Sequence, residues 1–341
     1  MDLNVKRFNS TPLEYLSEDQ MGAIHAAALD ILQDCGTMIH HQKSLDLLHQ
    51  AGAHVKDDNH VFIPSGLVEA AIRSAPSRVT IYDRNGAVSM CLEGRNVYYG
   101  TGSDCPYLLD SFSGERREFL SADVEDAVRL VDALPNIDFT MSNGLAPDFP
   151  AELQYQYKYA IMIRNSTKPQ VITAADKTCL NDIADIAAAA VGGREELSRK
   201  PIFVLYDEPT SPLVHDVGYL EFGLTYSFDL LVMCNEFIGQ VRRMMEGITV
   251  DKENLAVECV KRVGPGGHFL GDVHTLNHFR ENWQPDLTDR RTYQDWQSRG
   301  AKSMGQLAKE KIKELKKSHQ PQPLSPEVEA QIDKILKRAK G

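Results

Sequence analysis

Apolar residues recur at helical spacing early in the chain. Ile24, Ala27, Ala28, Ile31 and Leu32 share one helical face after Ser17, whose partner three residues on, Gln20, makes a capping-box pattern, and Gly36 ends the run. Shorter helical patterns cover residues 44–50 and 67–75, and a short strand at 61–63 stops at Pro64. Two alternating runs, Val79–Tyr82 and Val88–Leu92, flank Asn85-Gly86, the strongest short-range hairpin signal a sequence offers.

From Val97 the pattern becomes strand, loop, helix, and repeats. Strands are predicted at 97–99, 137–142, 170–174 and 202–206, and helices at 122–134 (with Ser121 as N-cap), 151–164, 180–191 and Phe228–Met245. Strands separated by amphipathic helices argue for βαβ units around a parallel sheet. Right-handed crossovers then put every strand-to-helix loop on one side, which collects Asp104, Tyr107, Ser142, Asn143, Thr173, Tyr206, Asp207 and Glu208. A glycine-proline hinge at 263–270 leads to charged amphipathic helices at 302–317 and Pro326–Ala339. The division expected is an N-terminal α+β subdomain at 1–96, a strand-helix body at 97–262, and a hinge with helical tail at 263–341.

Composition narrows the class. The 341 residues are 42% hydrophobic and 25% charged, which suits a soluble globular protein, and a net charge of −11 gives no support to nucleic-acid binding. No apolar run reaches membrane-spanning length, and the N-terminal residues lack the apolar core of a signal peptide. Six scattered cysteines without a C-x-x-C pair read as reduced thiols. A cytoplasmic protein is expected. The histidines of the first sixty residues, His40-His41 included, read as surface or capping groups before they read as metal ligands.

Several blocks, in order, resemble the trimethylamine methyltransferase family, the corrinoid-dependent methylamine and glycine betaine methyltransferases. They are Gly100-Thr101-Gly102-Ser103-Asp104-Cys105-Pro106-Tyr107; Ala122-Asp123-Val124-Glu125-Asp126-Ala127 with Leu134-Pro135-Asn136-Ile137-Asp138-Phe139; Glu208-Pro209-Thr210-Ser211-Pro212-Leu213; His215-Asp216-Val217-Gly218-Tyr219-Leu220-Glu221; and Val263-Gly264-Pro265-Gly266-Gly267-His268-Phe269-Leu270. The resemblance implies a TIM-type (β/α)8 barrel with an N-terminal extension. It also implies methyl transfer from a methylated amine, in methanogenesis or one-carbon metabolism, to the cobalt of a corrinoid (cobalamin) carried by a partner protein and not bound covalently here. It further implies that Leu213 closes the loop after the fourth barrel strand whereas Val214 opens the last. An internal deletion between them would remove roughly three βα units, on the order of 100 residues. The expected fold is therefore α/β, an incomplete barrel of about five strand-helix units, with an N-terminal α+β extension and C-terminal helices, and a possible homo-oligomer.

The chemistry implied needs a held cationic head, a methyl aimed at the nucleophile and a neutral leaving amine. A quaternary ammonium has no N–H to donate, so aromatic faces and carboxylates must recognise it. Glu208, Asp104 and Asp216 are the candidate catalytic acids; Glu208 comes first because Pro209 pre-orients it. Tyr107, Tyr206, Tyr219, Glu221, Asn143 and Gly102 are the candidate substrate-binding residues, and no metal ligands are assigned. Asp216 reads equally well as a helix cap, and His215 as a core histidine.

Overall fold

The computed structural model describes residues 14–206, 213–215, 225–247, 251–281 and 283–340. Helix α1 (Glu18–Asp30) starts at the expected capping box, the Gln20 amide donating to Ser17 Oγ and the Ser17 amide to Gln20 Oε1. It continues through a π-helical turn at Ile31–Cys35 to Gly36, whose φ of 75° ends it. There follow β1 (Thr37–Ile39), α2 (Gln42–Gln50), β2 (His54–Lys56), β3 (His60–Phe62) and α3 (Ser65–Ser74). β3 runs antiparallel to both β1 and β2, and Ile39, Leu45, Ala53 and Val61 form a small core of their own. The expected hairpin is present as β4 (Val79–Tyr82) and β5 (Val88–Leu92), its turn fixed by Asp83 Oδ1, which accepts from the Asn85 and Ala87 amides.

A second hairpin, β6 (Tyr107–Leu109) with β7 (Arg116–Glu118), precedes α4 (Ser121–Ala133). The N-cap of α4 is Leu120 rather than Ser121. Asp148 takes both the amide and the hydroxyl of Ser121, while Asp123 reaches back to the Leu120 amide at 2.9 Å. Then come β8 (Thr140–Met141), α5 (Gln154–Asn165), β9 (Gln170–Ile172), α6 (Lys177–Val191), α7 (Arg194–Arg199) and β10 (Phe203–Leu205). β8, β9 and β10 form a parallel sheet in that order, and α4, α5 and α6 pack side by side.

Residues 97–99 do not form the expected strand. The chain touches the sheet through one parallel bridge, Gly100 to Phe139, with Asp138 donating its amide to Tyr99 O and accepting the Tyr99 amide on its side chain. Gly100 is required here, because a Cβ would stand inside the Phe139 ring.

The fifth unit also departs from expectation. β11 (Val214–His215) lies parallel beside β1 in the N-terminal sheet, and β12 (Thr225–Ser227) lies parallel beside β6, so neither extends the β8–β9–β10 sheet. His215 is exposed rather than in the core. The architecture is mixed α/β, and among the described residues the strands close no barrel. Thr140, Gln170 and Ile172 are buried, whereas the alternate residues Met141, Val171 and Val204 are only half-buried, so one face of the sheet stays open.

After α8 (Phe228–Met245) the chain forms α9 (Val257–Val263), α10 (Val273–His278), α11 (Tyr293–Ser298), α12 (Met304–Ser318) and α13 (Pro326–Ala339). α12 packs on α8 and α4, α13 on α6 and α5, and their Ala308, Ile312, Ile332 and Leu336 join the main core. Polar straps secure them. The buried Arg84 guanidinium donates to Ile163 O and Gln322 O, Arg164 pairs with Glu329 at 2.6 Å, and Asp132 pairs with His319 at 2.8 Å. Among the described residues no helix is long and apolar enough to cross a membrane.

Burial opposes the charge of Asp132, but the Thr167 amide, the His319 ring and the Ser166 hydroxyl outweigh it and hold the carboxyl below its ordinary value. A carboxyl depressed in the fold contributes stability above its unfolded pKa and loses it as pH falls through the folded one. Urea unfolding between about pH 7 and about pH 2 will therefore show an acid-labile component of stability, and Asp132→Asn will lack that component.

Candidate functional site

The densest polar chemistry lies where the parallel strands end. Asp104 and Asn143 both adopt left-handed backbone, φ 46° and 56°, which their short polar side chains tolerate better than most. Their loops lie together. The Cys105 amide donates to Asn143 O at 2.9 Å, and the Leu145 amide returns to Cys105 O at 3.0 Å. Gly144 makes this approach possible, since a Cβ there would collide with the Phe119 ring.

Asp104 is wholly buried and receives donors from three other elements. Ser142 Oγ, after β8, donates at 2.8 Å, Thr173 Oγ1, after β9, at 3.3 Å, and the Lys158 ammonium of α5, itself 2% exposed, forms an ion pair with Oδ1. Lys158 Nζ also lies 5.0 Å from the Tyr155 ring centre. Asn143 donates to Thr140 Oγ1 at 3.2 Å and leaves its Oδ1 buried without a partner. Both Asp104 oxygens accept from neighbours, and the group is sealed from solvent. It can fix the shape of a rim; contact with a dissolved substrate would need an opening.

The structure brings together Asp104 and Asn143 of the candidate site residues, with Ser142 and Thr173 beside them. Gly102 lies elsewhere on the same loop, at a cleft against α8. Tyr107 does not join the cluster. In β6 it is Leu108 that turns inward, and the Tyr107 ring is covered by the Arg116 guanidinium, 3.5 Å from its centre. Tyr206 follows β10 half-buried, its amide donating to Ile172 O at 2.7 Å. Glu208, Asp216, Tyr219 and Glu221 lie outside the described residues. Among the described residues no group of three or more His, Cys, Asp and Glu side chains could hold a metal ion.

Lys158 is the functional candidate that sequence reasoning passes over. Its signal is positional: on the helix Tyr155, Lys158, Tyr159 and Met162 fall at i, i+3, i+4 and i+7, and a lysine on such a buried stripe needs a buried anion.

The chain matches the family model described as trimethylamine methyltransferase (MTTB) in two segments, residues 3–218 and 213–341. It is similar to the trimethylamine methyltransferase MttB of Desulfitobacterium hafniense (strain DSM 10664 / DCB-2), 21% identical over 97% of this chain and 95% of the relative. It is also similar to the glycine betaine methyltransferase of D. hafniense (strain Y51), 21% identical over 94% of this chain and 96% of the relative. Against the trimethylamine methyltransferase MttB of Methanosarcina thermophila the identity is 37% over 115 residues, 34% of this chain and 24% of the relative. An alignment of 471 residues with a chain of 341 leaves at least 130 residues of the first relative without a counterpart.

Removing the Lys158 cation strands a buried carboxylate, which typically costs about 3–5 kcal/mol. Lys158→Met should lower urea stability by roughly that amount, and adding Asp104→Asn should restore part of it. Additive losses in this double-mutant cycle would mean that the two groups do not depend on each other.

Proposed function

The chain belongs to the trimethylamine methyltransferase family, and on that premise we propose that it moves a methyl group from trimethylamine or a quaternary amine such as glycine betaine to the Co(I) of a partner corrinoid protein. The observation that carries this reading is the family match on both sides of the Leu213–Val214 junction. The parallel β8–β9–β10 sheet with its helices is then three strands' worth of a (β/α)8 barrel, whose strand ends form the catalytic mouth. The corrinoid protein is a co-substrate, and its Co(I) supplies the nucleophile.

The chain's own work is positioning and the exclusion of water. Tyr206, immediately after β10, is the ring we assign to the ammonium head, and Asp207 and Glu208, both outside the described residues, follow it directly in sequence. Asp104, tied to Lys158, acts as the anchor of the rim rather than as an acid. If the donor is a tertiary ammonium, Glu208 manages its proton so that the amine departs neutral.

A second reading has its own support. At least 130 residues present in the first relative have no counterpart here, and Met141, Val171 and Val204 are only half-buried on the open face of the sheet. Under this reading the chain is a non-catalytic remnant that binds a corrinoid protein or a full-length paralogue.

One experiment separates the two. Purified chain, a Co(I) corrinoid protein and a panel of methylated amines are combined without oxygen, and methyl-cobalt formation is followed by its visible spectrum. Catalysis predicts turnover with one donor, slowed on the order of 100-fold by Glu208→Gln. Capture of the corrinoid protein with no methyl transfer from any donor would replace it with the second reading.

A further inference from the structure

Helix α8 carries apolar residues on two faces. Phe228, Leu231 and Val232 are buried in the main core, as a surface helix of a globular protein requires. Leu230, Cys234, Phe237, Val241 and Met244 lie on the opposite side and are all exposed, Leu230 at 60% and Met244 at 69%. They recur at alternating steps of four and three residues, the heptad seam through which one helix meets another. Gln240 is the one other exposed residue of α8, so the strip holds no charge. A long uncharged apolar strip on a soluble surface marks an interaction site.

The strip is nearly symmetric about Phe237. Leu230 and Met244 stand seven residues to either side, Cys234 three before and Val241 four after. A second copy laid antiparallel sets Phe237 on Phe237, Leu230 on Met244 and Cys234 on Val241, the self-complementary pairing of a two-fold dimer. The ends match as well. A cleft of about 520 Å³ opens beside Leu230, Cys234 and Phe237, walled by Tyr99, Gly100 and Gly102, and nothing on α8 beyond Ile238 lines it. The opposite end of the strip is Met244, an unbranched side chain suited to filling such a gap in the other copy. Antiparallel helices also oppose their dipoles and bring Asp229, in the first turn of one, to the end of the other that carries Arg242 and Arg243.

Leu230, Phe237, Val241 and Met244, each roughly half exposed, together with the cleft walls offer on the order of 500 Å² per copy, about the lower bound of a specific interface when doubled. We propose that two copies of this chain associate through α8, antiparallel about a two-fold axis at Phe237. The surface is separate from the buried Asp104 cluster and does not depend on methyl transfer.

Sedimentation velocity of the full chain between about 1 and about 200 µM should show a reversible monomer–dimer equilibrium with a micromolar dissociation constant. Phe237→Glu puts two like charges on the axis and should weaken the dimer at least about 10-fold, and Met244→Glu should do the same from the edge. Both positions are exposed in the single chain, so both variants should keep its circular dichroism and melting temperature. Ile72→Glu, at an exposed position on α3, should leave the dimer unchanged. Under mild oxidation Val241→Cys should link Cys234 of one copy to the introduced thiol of the other, whereas the unaltered chain should form no disulfide through Cys234. A monomer at every concentration overturns the proposal and leaves the strip to a different partner. So does a dimer that both glutamate variants leave intact, or a Cys234–Cys234 disulfide in the unaltered chain, which requires parallel helices.

Discussion

A carboxylate and an ammonium sealed together away from water, Asp104 and Lys158, hold the strand ends in place. Each would be severely penalised alone in such surroundings, so neither element can move without exposing or stranding the other. Ser142 and Thr173 extend the constraint to the two strands between them, giving four chain segments one shared electrostatic centre. Such over-determination is what allows two left-handed residues, Asp104 and Asn143, to persist side by side. The glycines beside them serve the same end, Gly100 yielding to Phe139 and Gly144 to Phe119.

The parallel sheet is covered by helices on one face and half-open on the other, and at least 130 residues of the first relative have no counterpart in this chain. A closed barrel removes strand edges; an open sheet must dispose of them differently. Here the segments after Leu213 pair elsewhere. β11 pairs with the N-terminal sheet, through β1, and β12 pairs with the second hairpin, through β6. The helices after them pack on the helical layer, α8 against α12 and α13 against α6.

What the sequence discloses divides along physical lines. Helices α8 and α13 fall at the residues the pattern marks, because a broad apolar stripe and a capping serine or proline act locally. The Asn-Gly hairpin is equally local. The strands are shorter than their β-rich runs, since pairing ends where a partner ends, and 97–99 pairs only through Gly100. The destination of Val214 could not be read from its neighbours, being set by Thr37, whose hydroxyl donates to Leu213 O at 2.7 Å across 176 positions. Asp104 and Asn143 meet as strand-end logic expects; Tyr107 does not, because its place in a hairpin turns it outward under Arg116.

The straps on the C-terminal helices bear on how the chain reaches this state. Arg84 binds the Gln322 carbonyl 238 positions away, and Ile312, Ile332 and Leu336 complete a core begun at Cys105. Closing loops of that span is entropically slow, and contacts so distant in sequence cannot form while the later helices are still unmade. During synthesis the sheet must therefore wait with its apolar helix faces uncovered. The last third of the polypeptide sets the moment of assembly, and a chaperone that shelters those faces would find its client in this interval.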